Sequence, residues 1–270
     1  MMVNKFGRDS ELYVKAKTIK GITCLEDYFF TAPFKIAKPF FNEKGIMKII
    51  IMSASAGIME GDCYQIRVEL GAGARVALHG QSYAKIHRMH EGRASQCSQF
   101  FLEEGAFLDY EQNPVIPYAG SSFQAVSECF LKSGSAFMYS EVFACGREKS
   151  GERFEFREYR NCNRVYYQGD LIFLERQMLV PGCHDLEGIG CFEGYTHQAT
   201  LAFFYDHFDD QLLELLNNIL EKRSDIEFGL TKTNRFGLIV RVLGGNADRL
   251  SKILNDLRQE CYRLFDRCVS

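Results

Sequence analysis

Three of the chain's six histidines fall within one short stretch, HGQSYAKIHRMH (79–90). Imidazole is the commonest side-chain ligand of transition metals, so the first question is whether these rings can share an ion. If residues 75–88 form one strand, His79 and His87 lie on the same face, eight residues apart. That is roughly 26 Å at about 3.3 Å per residue, far beyond ligand bonds of about 2.0–2.1 Å. His87 and His90 are closer, but their odd spacing puts them on opposite faces of a strand, and only a turn starting at Arg88 would join them. The stretch therefore reads as surface or partly buried histidines, with His79 and His87 kept as candidate ligands.

A second set lies in PGCHDLEGIGCFEGYTH (181–197), which contains Cys183, His184, Cys191 and His197. Its glycines would let a loop fold back and present sulfur and nitrogen together. Adjacent ligands such as Cys183 and His184 rarely serve one ion without strain, and the Cys-x-x-Cys anchor of a structural zinc site is missing. A loop joining two parts of the fold accounts for the segment as well.

Carboxylates in apolar strands form the third set. Glu141, in FMYSEVFACGR, shares a strand face with Phe137, Tyr139 and Phe143, and Glu175, in DLIFLERQMLV, shares one with Leu171, Phe173 and Leu179. Asp62 follows Gly61 at the mouth of a strand in SAGIMEGDCY. An ionised carboxylate in such surroundings is costly unless paired or solvated. Salt bridges to Lys85, Arg147 or Arg176 would satisfy these groups, and so would a wet internal path that they line. No G-x-S-x-G elbow, P-loop or dinucleotide fingerprint is present. The glycines of GAGARVALHG (71–80) precede a strand instead of opening a helix. No serine or cysteine has a base placed beside it by sequence, so the reading is a binding or assembly protein, not an enzyme.

The elements that must position these groups are mostly strands. Of the 270 residues 46% are hydrophobic, enough for one large core or two smaller ones. A formal net charge of −3 argues against a nucleic-acid surface, which needs a basic stripe. No apolar run approaches the roughly 20 residues of a membrane span. The opening MMVNKFGRDSELYVK is polar, so a cytoplasmic protein is expected. The ten cysteines are scattered without a Cys-x-x-Cys pair, and in a reducing compartment most should be buried thiols.

One template recurs: Leu70-Gly-Ala-Gly73-Ala74, Leu102-Glu-Glu-Gly105-Ala106 and Leu131-Lys-Ser-Gly134-Ser135, at steps of 32 and then 29 residues. Each ends in a tight turn followed by an alternating run, and units this short must stack to bury a face. Strands are expected in MKIIIMSA, YQIRVEL, QCSQFFLEE, FQAVSECFLK, RFEFREYR and RVYYQGDLIFLERQMLV. The fold class is mainly β: a helicoidal, solenoid-like stack of short strands over residues 1–197. Residues 198–270 read as a β-α-β-β-α unit packed on it. Its helices carry Leu212, Leu215, Leu216 and Ile219, then Leu250, Ile253, Leu254, Leu257, Cys261 and Leu264 behind an Asn246 cap.

Taken in order, the segments resemble the urease accessory proteins called UreD, or UreH in some bacteria. The matching marks are FFTAPFKIAKPFF (29–41), SASAGIMEGD (53–62), GAGARVAL (71–78), QSYAKIHR (81–88), NPVIPYAGSSF (113–123), YSEVFACGRE (139–148) with ERFEF behind it, LERQML (174–179) and EGYTH (193–197). The match as a whole runs from residue 11 to 205. The resemblance implies a non-enzymatic chaperone that helps deliver nickel to apo-urease. It implies work with UreF, through UreF with the GTPase UreG, and with the urease subunits. It also implies a β-rich helicoidal fold with a water-filled internal path, and carries the lining of that path to Asp62, Lys85, Glu141 and Glu175, with Ala84 where some relatives are polar. Nickel would be transient cargo, with no tightly bound cofactor, nucleic acid or membrane partner. Ser53-Ala-Ser-Ala-Gly57 and Glu60 depart from the family's Pro- and Gly-containing approach to its Gly-Asp. The readings left beside this one are a zinc protein using the Cys183–His197 loop and a scaffold with no metal path.

Overall fold

A computed structural model describes residues 9–269; the first eight residues of the polar opening stretch lie outside the described residues. The described chain begins with an antiparallel pair, β1 (Asp9–Ile19) and β2 (Ile22–Phe30), followed by β3 (Phe34–Ile36), β4 (Phe40–Phe41) and β5 (Met47–Ser53). Three coils follow. They are β6 (Cys63–Leu70) with β7 (Arg75–Gln81) and β8 (Ala84–Ile86); β9 (Ala94–Leu102) with β10 (Phe107–Glu111) and β11 (Val115–Pro117); and β12 (Ser122–Leu131) with β13 (Ala136–Ala144). A hairpin of β14 (Glu158–Tyr167) and β15 (Asp170–Leu179) precedes β16 (His197–Tyr205). The chain ends with α1 (Asp210–Glu221), β17 (Glu227–Lys232), β18 (Gly237–Gly244) and α2 (Ala247–Val269).

The repeated Leu-x-x-Gly template is the turn that makes the coil. Gly73, Gly105 and Gly134 sit at φ +66°, +65° and +67°, the left-handed region that a side chain disfavours. Each turn carries the chain from one sheet to the other, and successive turns bond to each other. The Gly73 N–H donates to the Glu104 carbonyl (2.9 Å) and the Gly105 N–H to the Ser133 carbonyl (3.1 Å). The two sheets run β15-β14-β12-β9-β6-β1-β2 and β17-β18-β16-β13-β10-β7-β5-β3. Pairing is parallel from β14 to β1 and from β13 to β5, with antiparallel strands at the ends. The result is a β-solenoid of about four turns.

Leu70, Leu102 and Leu131 form one buried rung inside it. β16 joins the second sheet by pairing with β13, so the residues after His197 extend that sheet edge to edge. α1 and α2 cover its outer face with Leu212, Leu216 and Leu220, and with Leu250, Ile253, Leu257 and Leu264. Asp209 caps α1, its Oδ1 accepting from the Leu212 N–H (3.0 Å), and Asn246 Oδ1 accepts from the Arg249 N–H (3.0 Å) at the start of α2. No described helix is long and apolar enough to cross a membrane.

Three local expectations change. Residues 75–88 do not make one strand, because the chain breaks at Ser82 (φ +80°) between β7 and β8. RFEFREYR is a strand only from Glu158; its first part is a loop with Phe154 at φ +52°, which buries the Phe154 and Phe156 rings. Three of the ten cysteines are buried, Cys129, Cys145 and Cys261. Cys97 and Cys162 fall on the outer phase of their strands and stay partly exposed.

Replacing Gly105 by Ala should cost about 1–2 kcal/mol, the scale of forcing a side chain into the left-handed region. Gly245→Ala, in open space without a positive φ, should stay within about 0.5 kcal/mol of the parent. Urea denaturation of the two variants measures both.

Candidate functional site

In a solenoid without register slips, a residue chosen at one rung lies beside its counterparts on neighbouring strands. In the first sheet one inward-facing rung reads Ile66, Ser98, Ser127, Asn163 and Glu175. The adjacent inward rung reads Tyr64, Gln96, Ala125, Asn161 and Gln177. Opposite them in the second sheet, Glu141, Thr200 and Arg241 form a rung on β13, β16 and β18. Neighbouring strands lie about 4.8 Å apart, so the Ser98-to-Glu175 row runs roughly 14 Å through the core.

The bonds within this row are specific. The Tyr139 hydroxyl donates to Glu141 Oε2 (2.7 Å), and Asn161 Nδ2 approaches both carboxylate oxygens at 3.4 and 3.5 Å. Asn163 Nδ2 donates to Glu175 Oε2 (3.2 Å), and Gln177 Nε2 donates to Gln198 Oε1 (2.7 Å) across the sheets. The Arg241 guanidinium pairs with Glu175 Oε1. Ser127 Oγ, Asn161 Oδ1 and Asn163 Oδ1 are buried with no partner in the protein, a state that buried polar atoms avoid unless water or an ion serves them. Two cavities adjoin the row. One of about 80 Å³ is lined by Gln96, Tyr110, Gln112 and Asn113 among apolar side chains. The other, about 20 Å³, is lined by Ser127, Tyr139, Asn163 and Glu175. The Tyr110 and Tyr139 rings, 6.0 Å apart, stand between them. Burial pushes the Tyr110 hydroxyl up to about 12.

Glu141 is the group most at odds with its surroundings. It is 7% exposed, and burial raises its carboxyl above the ordinary range, against the opposing pull of Tyr139, Asn161 and the Arg241 charge. Asp109, one strand away on the other face of the second sheet, is the contrast. Burial would raise it too, but Arg258 and His79 outweigh that and hold it at about 2. Arg258 of α2 pairs with Asp109 and Glu111, and the Tyr262 hydroxyl donates to Asp109. This second cluster pins α2 to the sheet.

The other sequence candidates are placed apart from the row. The Asp62 carboxylate accepts from the Met59 N–H (2.7 Å) and the Tyr64 hydroxyl (3.2 Å), touching the interior only through Tyr64. Gly61 sits at φ +82° in the turn before it. Lys85 is exposed, while Ala84 lines the larger cavity. Arg147 pairs with Glu152 and lies over the Tyr118 ring (4.2 Å), and Arg176 points outward, so neither serves a buried carboxylate. Leu171 does not share the face of Glu175, because a bulge opposite Val165 and Tyr166 turns it out to solvent. His79 lies 3.4 Å from Asp109 and 3.2 Å from Glu111, within the α2 cluster. The His87 ring bonds the Ala56 carbonyl (3.2 Å) and packs on Gly57, where a Cβ would come within 2.6 Å of it. Cys183 and His184 are exposed in the turn after β15, and His197 begins β16 with burial lowering its imidazole pKa. Among the described residues no three His, Cys, Asp or Glu side chains meet in a way that could hold a metal ion. Glu60, the departure in the 53–62 segment, accepts from the His90 N–H (2.8 Å) and Glu91 N–H (3.2 Å) and so anchors the following loop.

Sequence reasoning missed Gln96, Ser98, Ser127, Asn161, Asn163 and Arg241. The first five had a signal available in principle, each being a polar residue on the buried phase of an alternating strand, whereas Arg241 is exposed between buried Val240 and Val242.

Comparison with known proteins finds relatives of the chain over almost its whole length. The family model described as UreD urease accessory protein matches residues 8–267. The chain is similar to a urease accessory protein UreD of Acetivibrio thermocellus, 55% identical over 97% of this chain and 100% of that one. It is also similar to a urease accessory protein UreH of Helicobacter hepaticus, 35% identical over 94% of this chain and 99% of the relative. A UreD of Flavobacterium johnsoniae is 31% identical over 90% and 88%.

Glu141 and Asp109 predict opposite pH responses. A carboxyl with a raised folded-state pKa stabilises fully below its unfolded value, about 4.3, and loses that contribution as pH rises through the folded value. Glu141→Gln should therefore equal or exceed the parent in stability at pH 8, with the difference closing below about pH 4. Asp109 contributes above its unfolded value, about 3.9, and loses that contribution as pH falls toward about 2. Arg258→Ala should cost about 3–5 kcal/mol at neutral pH by orphaning a buried charge, and the cost should shrink in acid as the carboxyl protonates. Urea midpoints across pH 2–9 test both.

Proposed function

The chain belongs to the UreD family of urease accessory proteins, and from that premise we propose that its interior polar row is a conduit for nickel on the way to apo-urease. Urease maturation is the family's role; the finer assignment rests on one observation. Glu141 is buried beside neutral amides and hydroxyls, in the face-to-face row that also holds Glu175, without the directly paired guanidinium that Asp109 has in Arg258.

The donor set suits a passing ion. By the Irving–Williams order nickel binds nitrogen and sulfur sites tightly, so a lining of Cys and His would hold it. Carboxylate, amide and hydroxyl oxygens with water bind it more weakly and exchange it. A conduit must admit an ion and also release it, and Ser98, Ser127, Asn161, Asn163, Glu141 and Glu175 supply oxygen ligands of that kind. Unpartnered Ser127, Asn161 and Asn163 oxygens are available to the ion's hydration shell. The cavities beside the row are small and Tyr110 and Tyr139 stand between them, so passage requires those rings to shift. On this reading the chain is a cytoplasmic, non-enzymatic chaperone. It acts in a complex with UreF, through it with the GTPase UreG, and with the urease subunits. Asp62, bonded to the Tyr64 hydroxyl, stands at the outer approach to the row.

The test is co-expression of Glu141→Gln and Glu175→Gln variants with the urease subunits and other accessory proteins. Nickel per urease active site should fall about tenfold in the double variant, the lower end of what groups around a metal site contribute. Recovery of the complex on a tagged bait should be unchanged. Full loading by the double variant would leave the chain a scaffold.

A further inference from the structure

Glu175 closes the polar row at the end of the solenoid, where the first sheet runs out at β15. Its two oxygens are held differently. Oε2 accepts from Asn163 inside the core (3.2 Å), whereas Oε1 is taken by the guanidinium of Arg241. Arg241 stands on β18, in one rung with Thr200 and Glu141. It is the only Lys or Arg whose side chain is bonded to a carboxylate of the row among the described residues. It is not locked in the core: its side chain is 50% exposed, against 16% for Glu175. A cation anchored in solvent thus reaches into the end of an oxygen-lined row.

We propose that Arg241 is the gate of this row: while its guanidinium lies on Glu175, a hydrated divalent cation is excluded, and when it turns out to solvent the Glu175 carboxylate and the Glu141 rung open to one. The inference rests on the conduit reading and gives that site its regulation. A fixed positive charge beside a carboxylate both occupies a ligand oxygen and repels a second cation. Departure of Arg241 frees Oε1, while Asn163 still holds Oε2 and keeps the carboxylate aimed inward. Exposing Glu175 needs only Arg241 to turn, because it already borders solvent, while travel farther along the row requires the Tyr110 and Tyr139 rings to shift.

The experiment is calorimetric titration of the purified full-length chain with Ni²⁺ in a non-coordinating buffer. Arg241→Gln should bind one equivalent roughly tenfold tighter than the parent, the scale of removing one nearby positive charge under solvent screening. Adding Glu175→Gln to it should abolish the gain, and Arg241→Lys, which keeps the charge, should stay near the parent. Arg241→Met carries the same test if the Gln variant does not fold. Unchanged affinity in the neutral variants, or a gain that survives Glu175→Gln, overturns the gate. Urease loading in the Glu141 and Glu175 variants is read separately. Loading that ignores those carboxylates while Arg241→Gln gains affinity retains the gate on a cation site and removes only its link to urease. Loading that depends on them while Arg241→Gln changes neither affinity nor loading removes the gate alone.

Discussion

Register is the constraint from which the rest of this structure follows. Three left-handed glycine turns of the same φ stack by backbone hydrogen bonds, and each returns the chain to the same height in the opposite sheet. Parallel strands then pair without slipping from β6 through β14. In such an arrangement a side chain is never alone: it has a counterpart one strand spacing away on either side. Apolar positions become ladders, as Leu70, Leu102 and Leu131 do. Polar positions become ladders too, and Ser98, Ser127 and Asn163 form one through the centre of the core.

A polar ladder inside a small core is unfavourable unless something repays its desolvation. The second sheet carries two answers on its two faces. On the helix side, Asp109 Oδ2 is met by Arg258, Tyr262 and His79 while Oδ1 stays without a partner, and that cluster ties α2 across a long stretch of sequence. On the interior side, Glu141 receives one hydroxyl, a distant amide and a charge two strands away, and burial prevails. The first arrangement is what stability alone would select. The second keeps a carboxylate where burial opposes its charge and no guanidinium pairs with it directly, an arrangement that stability alone does not favour.

How much of this was legible in the sequence depended on whether the signal was local. The glycine turns, the strand-rich body, the Asn246 cap and the α2 stripe are short-range patterns that the structure reproduces, while in α1 Leu215 turns out to solvent and Leu220 joins Leu212 and Leu216 on the buried face. The pairing of Glu141 with Phe137, Tyr139 and Phe143 followed from simple alternation and holds. Alternation failed beside Glu175, because the bulge at Val165 and Tyr166 adds a residue and turns Leu171 outward. It failed again at Ser82, which splits the strand that was to carry His79 and His87. Lys85, Arg147 and Arg176 were sensible partners by charge but not by position. The true partner of Glu175, Arg241, is 66 residues away, and Arg258 is 149 from Asp109. Such partnerships arise only once the coils are stacked.

The ends of the solenoid then acquire a meaning that its middle lacks. Inside the stack each rung is bounded by further rungs, so Ser127 and Asn163 are enclosed between the sheets. At β15 and β16 the parallel stack gives way to antiparallel strands, and the interior must be closed by side chains. Gln177 and Gln198 do so with a neutral bond between the sheets. One rung over, Glu175 and Arg241 do so with opposite charges, one mostly buried and one half in water. A neutral pair would have sealed that rung as well and at lower desolvation cost. An ion pair at the boundary has a property the amide pair lacks: its cationic half is stable in solvent on its own, so undoing the closure leaves a mostly buried Glu175 carboxylate, bonded by Asn163, without its countercharge.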